Sequence, residues 1–200
     1  MTGDDAGEPR AVPGGDTAGP VRGSGRRRAI ALLASLGAAS ILVDFVTKQL
    51  AVEHLRGAEP VRLLGGVLYL DYTTNSGAAF NIGGSYTFVF PLIALAVIAF
   101  IVWMSLRLRS RSWAVALGLV LGGAAGNLLD RLVREPAPFR GEVVDMLSLF
   151  APGGSVWPIF NIADASLVVG VMLAVWLELT GRRRDGTRAV RGPVRVVTEP

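Results

Sequence analysis

Trp157-Pro-Ile-Phe-Asn-Ile-Ala-Asp164-Ala-Ser-Leu-Val-Val-Gly170 opens an apolar segment that runs on to Leu177, with an acid a few residues inside it. An ionised carboxylate in hydrocarbon costs several kcal/mol, so an acid in such a segment is a functional-site hypothesis by default and calls for a partner. Asp145, in Val143-Val-Asp145, is the candidate partner. The composition supports reading the segment as membrane-spanning. Of 200 residues, 51% are hydrophobic, and the mean hydropathy is +0.47, too apolar for an ordinary soluble domain of this size.

The scarce residue types narrow the chemistry. There is no cysteine, which excludes disulfides, thiolate nucleophiles and cysteine-ligated metals. His54 is the single histidine, whereas an HExxH-type zinc site needs two on one helix face. Lys48 is the single lysine, so nearly all positive charge is arginine, clustered beside apolar runs. Membrane topology accounts for those clusters better than nucleic acid does, and no nucleic-acid partner is expected.

Four apolar runs are long enough to cross a bilayer: 29–52, 86–106, 113–129 and 159–177. The first follows Arg26-Arg27-Arg28 like a signal peptide, but it is too long for one and contains Asp44 and Lys48. Arg26 to Arg28, then Arg107, Arg109 and Arg111, then Arg182 to Arg184 all flank one side of a four-span arrangement, which places both termini in the cytoplasm. Residues 1–28 read as a disordered cytoplasmic tail and 178–200 as a basic cytoplasmic tail near anionic headgroups. The outer loops are then 53–85 and 130–158. In the first, Val67-Leu-Tyr-Leu-Asp-Tyr72 suggests a strand of a hairpin or small sheet. In the second, Glu142 to Phe150 is apolar but too short to span, and is expected to pack on the bundle or lie in the interface. The expected fold is an all-α integral membrane protein of four transmembrane helices, with a small extracytoplasmic β element and a short amphipathic or apolar loop segment.

Depth follows from about 1.5 Å of rise per residue. Asp44 lies in the outer half of the first helix, and Asn127, Asp130 and Arg131 share a face in the last turn of the third. Asn161 and Asp164 share a face in the first turns of the fourth, while Asn75 and Asp145 belong to the outer loops. Each has a plain structural reading. Asp44 and Lys48 form an i,i+4 ion pair, Asp130 and Arg131 an interfacial helix end, Asn127 and Asn161 interhelical bridges, and Asp164 an N-terminal-turn acid after Pro158. None of these explains why all of them reach one depth.

Ser–His–Asp and Cys–His arrangements are weak or excluded, and a Ser–Lys pair would have to use Lys48, already beside Asp44. An all-carboxylate metal site lacks a ligand-spacing pattern, so no metal and no cofactor are expected. Two aspartates remain. If Asp145 folds onto Asp164 they cannot both ionise at low dielectric and would share a proton. The ionised member can then take a proton from an attacking water while the other protonates the carbonyl oxygen or leaving amine, which is aspartic-protease chemistry.

Four stretches, Asp44-Phe-Val-Thr-Lys48, Asn75-Ser-Gly-Ala-Ala-Phe80, Gly126-Asn-Leu-Leu-Asp-Arg131, and Val143-Val-Asp145 with Phe160-Asn-Ile-Ala-Asp164, occur in the order and spacing of the bacterial lipoprotein signal peptidases, signal peptidase II. The chain resembles that family from about Ala29 to Leu177. The resemblance implies a membrane aspartyl endopeptidase of the bacterial cytoplasmic (inner) membrane, with its active site at the outer face. It would cleave prolipoproteins N-terminal to a diacylglyceryl-modified cysteine. Asp145 and Asp164 match the catalytic dyad. Asn75, Asn127, Asp130, Arg131, Asn161 and Ala163 match positions around the dyad and in substrate contact, and Asp44 and Lys48 match the first family motif. Met146 stands where an aromatic residue is usual and Trp157 where Phe is common, which bears on pocket shape. Prolipoprotein substrates and membrane lipids are the expected partners, and a monomer the expected state. The outer loops are expected to close over the substrate. An alternative from another class is a small four-helix proton-coupled exporter carrying its proton on Asp44, and a third is a non-catalytic scaffold whose polar residues are helix contacts.

Overall fold

Ser110 ends the turn before Arg111–Val133 and accepts the Trp113 N–H with its side chain, starting the helix around which the others pack. In the computed structural model, residues 24–77, 87–136 and 138–189 are described. Four helices run α1 Ser24–His54, α2 Val89–Ser105, α3 Arg111–Val133 and α4 Ile162–Leu179, with strands β1 Val61–Leu63, β2 Leu68–Asn75 and β3 Val143–Leu149. Among the described residues, α1, α3 and α4 are long and apolar enough to cross a membrane, while α2 is apolar but has 17 residues.

Helix α3 packs on α1, α2 and α4 because its interface positions are small. Gly118, Gly122 and Gly126 repeat every four residues and face α1. A Cβ at Gly122 would stand 2.5 Å from the Ser40 Cβ, and one at Gly126 2.7 Å from Asp44 Oδ2. Gly123 faces α4, where a Cβ would strike the Ala163 carbonyl. The close approach also lets Ser40 on α1 donate to Ser166 on α4 at 2.9 Å. At the arginine-rich end, Ala29, Leu33, Leu108, Trp113, Leu117 and Leu177 close the core. Outward, apolar side chains stand exposed along α1, α2 and α4, among them Leu42, Val102 and Met172, as expected of helices that face lipid.

The sheet is antiparallel in the order β1-β2-β3. The strand expected at 67–72 is thus part of a three-stranded sheet. The apolar piece at 142–150, expected to pack on the bundle or lie in the interface, packs on the bundle, and it does so as the third strand rather than as a loop, with Val143, Val144, Asp145 and Met146 all buried. It is buried because one face packs on Ala51 of α1, with Val144 and Met146 in the same cluster. An irregularity in β2 between Leu70 and Thr73 shifts the register from Leu70↔Leu147 to Thr73↔Asp145. Such bulges re-aim side chains at sites.

Helix boundaries differ from the pattern-based ones for local reasons. Helix α1 begins at Ser24, so Arg26 to Arg28 are its first turns. Helix α3 continues to Val133, beyond the apolar run that ends at 129, so Asp130 and Arg131 are helical, as their shared face with Asn127 implies. Helix α4 begins only at Ile162, with Asn161 as its cap, because Phe160 pairs with Leu147 of β3 through bonds of 2.8 and 2.9 Å. After α4 the chain folds back as far as Ala189. Arg184 O accepts the N–H groups of Arg109 and Ser110, both at 2.9 Å, and Arg182 O accepts Trp113 Nε1–H at 2.7 Å. The remainder of both expected tails, and Ala78 to Phe80 of the second motif, lie outside the described residues.

Candidate active site

Helix α4 places Asp164 through its own cap. Asn161 accepts the Asp164 N–H at 2.9 Å on its side-chain oxygen, and Asp164 Oδ2 accepts the Asn161 N–H at 3.2 Å, a reciprocal capping box. The cap reading of Asp164 is therefore correct locally, yet it uses only one carboxylate oxygen. The other, Oδ1, accepts from Asn127 Nδ2 on α3 at 2.7 Å.

Asp145 arrives from β3. Paired with Thr73 in the ladder, it takes Asn161 Nδ2–H on side-chain Oδ1 at 2.6 Å and Asn75 Nδ2–H on Oδ2 at 3.3 Å. Asn161 thus bonds both carboxyls, Asp145 through its side-chain amide and Asp164 through its backbone. Asp145 is 2% exposed. Its carboxyl is pushed up to about 6, first by burial and then by the neighbouring Asp164 charge, with the Asn161 and Asn75 hydrogen bonds opposing.

Both aspartates line a cleft of about 420 Å³ together with Asn75, Asn127 and Arg131, and its walls are otherwise apolar, from Phe90, Ile93 and Val97 on α2 to Leu167 on α4. Arg131 spans one side of it. Its guanidinium stacks on the Phe90 ring, 4.9 Å from the centroid, and Nη1 donates to Gly141 O at 3.4 Å and Ser76 O at 3.5 Å. Asn75 is held by the Gly77 N–H, which donates to its Oδ1 at 2.8 Å. Gly77 has a φ of +87°, and a Cβ there would run into the Phe90 ring, so this turn requires glycine. A second cleft of about 350 Å³, with Thr73, Ser76 and Gly154 in its lining, meets Asp145 from the sheet side.

Asp44, Lys48 and Asp130 form a layer behind the cleft and do not line it. Lys48 Nζ lies 2.7 Å from Asp44 Oδ2 and 2.9 Å from Asp130 Oδ2, and it donates to Asn127 Oδ1 at 3.0 Å. Asp44 and Lys48 are each 1% exposed. Asp44 Oδ1 accepts the Ala163 N–H at 2.8 Å, tying α1 to the first turn of α4. Asp130 accepts the Val144 N–H at 3.3 Å, tying α3 to β3, and pairs with Arg134 Nε at 2.6 Å. The ion-pair reading of Asp44 and Lys48 holds, and the interfacial reading of Asp130 is corrected, since it is 2% exposed and anchors a strand. An exporter carrying its proton on Asp44 needs that carboxylate accessible. It is sealed between Lys48, Ala163 and Gly126.

Three contributors were not legible as site residues: Phe90, which carries Arg131; Arg134, which closes the charge on Asp130 while donating to Gln49 Oε1 at 3.0 Å; and Gly126, whose bare Cα admits the Asp44 carboxylate. The four-residue glycine repeat in α3 was the available signal for the last. Among the described residues no group of three or more His, Cys, Asp or Glu converges as metal ligands would.

Known proteins resemble this chain in sequence and in fold. Residues 36–180 match the family described as Signal peptidase (SPase) II. A protein of Mycolicibacterium smegmatis named lipoprotein signal peptidase is 42% identical over 189 residues, covering 91% of this chain and 77% of that one. The protein of the same name from Mycobacterium leprae is 47% identical over 154 residues, covering 77% of this chain and 74% of its own length. Among solved structures, a bacterial membrane enzyme determined by the in meso method at 1.9 Å resolution superposes with a TM-score of 0.66 at 28% identity, covering 75% of this chain and 94% of its own. With a family match spanning residues 36 to 180 and relatives above 40% identity over most of its length, this chain, a bacterial membrane protein, belongs to the signal peptidase II family of peptidases.

Proposed function

We propose that the protein is an aspartyl endopeptidase that removes the signal peptide from diacylglyceryl-modified prolipoproteins, cutting N-terminal to the lipidated cysteine, with Asp145 and Asp164 as its catalytic pair. The observation that carries this reading is the placement of two carboxyls from different elements on one apolar cleft, joined through Asn161. A carboxyl raised to about 6 beside a second carboxylate is suited to a pair that holds one proton up to about that pH. The ionised member takes a proton from water as the water oxygen attacks the scissile carbonyl, and the protonated member gives its proton to the carbonyl oxygen. On collapse of the resulting diol a hydroxyl returns its proton to the carboxylate that gave one, while the carboxyl that took the water's proton passes it to the leaving amine, so the pair again holds one proton.

In this reading the signal peptide lies as a helix along the apolar wall made by α2 and α4, and the acylated cysteine holds the cleavage site at the interface. Arg131, steadied on Phe90, and Asn75 face the same cleft and are positioned to hold the substrate backbone. Orientation follows from the basic clusters. Arg26 to Arg28 begin α1, Arg107 to Arg111 join α2 to α3, and Arg182 to Arg184 follow α4, where they contact the α2–α3 turn. They occupy one end of the bundle, opposite the dyad, which supports the reading that both termini are cytoplasmic and the site faces outward. Helix α2, about 25 Å long by its rise, makes the fourth crossing.

Purified protein incubated with a diacylglyceryl-modified prolipoprotein tests the assignment. Wild type is expected to cleave it, whereas Asp145→Asn and Asp164→Asn are expected to lose cleavage. Wild-type rates in either variant exclude the dyad.

A further inference from the structure

We infer that Lys48 is a positioning residue for the dyad and acts on Asp164 through the side-chain amide of Asn127; this rests on the Asp145–Asp164 reading above. An ammonium group only donates hydrogen bonds. The Asn127 atom 3.0 Å from Lys48 Nζ is therefore the amide oxygen, and the amide nitrogen is left to face Asp164, to which it donates at 2.7 Å. Asn161 Nδ2 reaches the same oxygen at 3.1 Å, but that nitrogen has two hydrogens and three acceptors, the shortest contact being to Asp145 at 2.6 Å. Lys48 is thus the one charged donor on Asn127 among the described residues. Its charge drains electron density from the amide oxygen and makes the N–H that meets Asp164 a stronger donor.

Burial makes the relay effective. Lys48 is 1% exposed, so water screens little of its charge, and its position is held from both sides by Asp44 and Asp130. The role of the first motif is then specific. Asp44 holds the lysine, the lysine sets the amide, and the amide sets the carboxylate. None of these residues apart from Asn127 and Asp164 borders the cleft, so the effect reaches the chemical step without touching substrate.

The test removes the ion pair as a unit. Asp44→Asn/Lys48→Met eliminates one charge of each sign and leaves Asp130 paired with Arg134 at 2.6 Å, so no buried charge is stranded. Cleavage kinetics are measured for this variant, for Asn127→Ala, and for the combination. Asn127→Ala is expected to lower kcat about 10- to 100-fold, as for loss of one hydrogen bond to a charged group, and the paired variant by a smaller factor, because its Asn127–Asp164 bond is weakened rather than removed, with KM near that of wild type in both. The combination is expected to be no slower than Asn127→Ala alone, because both act through one bond. Losses that multiply, or a wild-type kcat in Asp44→Asn/Lys48→Met, overturn the relay. Asp164→Asn is run alongside: full activity there sinks the dyad itself, whereas an inactive Asp164→Asn with multiplying losses sinks only the relay. Thermal melts establish that the paired variant is folded. If it is not, Asp44→Asn/Lys48→Gln in its place decides, since glutamine can still donate to Asn127 Oδ1 but carries no charge. A loss of similar size is expected, and a wild-type kcat refutes the proposal.

Discussion

Replacing Asp145 by Asn is expected to stabilise the protein at neutral pH while removing its activity. A carboxyl raised from its ordinary 3.8 to about 6 by burial and by Asp164 costs the folded state about 3 kcal/mol once it is fully ionised. The sign follows from proton binding. Between 3.8 and about 6 the folded chain holds a proton that the unfolded chain has released, so this carboxyl makes stability fall as pH rises through that window. Asparagine has no such charge to bury, and its amide oxygen can still accept from Asn161 Nδ2, now 2.6 Å from Asp145 Oδ1. Its nitrogen, however, would face Asn75 Nδ2, which cannot turn without releasing the Gly77 N–H, at a cost of about 1 kcal/mol. The net gain above pH 7 is therefore about 2 kcal/mol, or a rise in Tm of about 4–8 °C for a chain of this length. Thermal unfolding of both proteins in one detergent, at pH 4 and pH 7.5, reads this directly. The Asn variant should melt higher at pH 7.5 and lose that advantage at pH 4. Equal melting at pH 7.5, or a gain of the same size at both values, would falsify the burial cost assigned to Asp145.

Lys48→Met alone strands Asp44 in a sealed site and is expected to destabilise by about 3–5 kcal/mol, seen as poor recovery of folded protein, whereas removing Asp44 with it should recover most of the loss. Gly123→Ala places a Cβ against the Ala163 carbonyl and the Leu167 side chain, forcing α3 and α4 apart; cleavage should drop about tenfold or more, because Asn127 and Asp164 sit across that seam at 2.7 Å. Trp113→Phe removes the bond to Arg182 O at the far end of the bundle and should cost about 1 kcal/mol in a melt without changing the cleavage rate at a permissive temperature. Treatment with EDTA should leave cleavage unchanged, since in the proposed mechanism the two carboxyls supply both proton-transfer roles; a lost activity restored by a divalent ion would assign the chemistry to a metal.

Much of this protein was legible in one dimension because a bilayer is a simple solvent. Segments such as Ser24–His54 and Ile162–Leu179 must satisfy their own backbone and offer apolar side chains, so runs of hydrophobic residues announce them. Costly polar residues among them, from Asp44 to Asp164, stood out against that background, and depth along each helix was enough to bring them to one level. Tertiary structure decided which of these residues meet. The strand that carries Asp145 was not evident, since a short apolar run has no period that separates strand from loop, and its burial depends on pairing with β2 and packing on α1. The division into a cleft, lined by Asn75, Asn127, Arg131, Asp145 and Asp164, and a sealed layer of Asp44, Lys48 and Asp130 rests on bare glycines in α3. Composition locates charge along the membrane normal. Only the packing of α1, α3 and α4 around those glycines sets which carboxylate borders the cleft and which is held by Lys48.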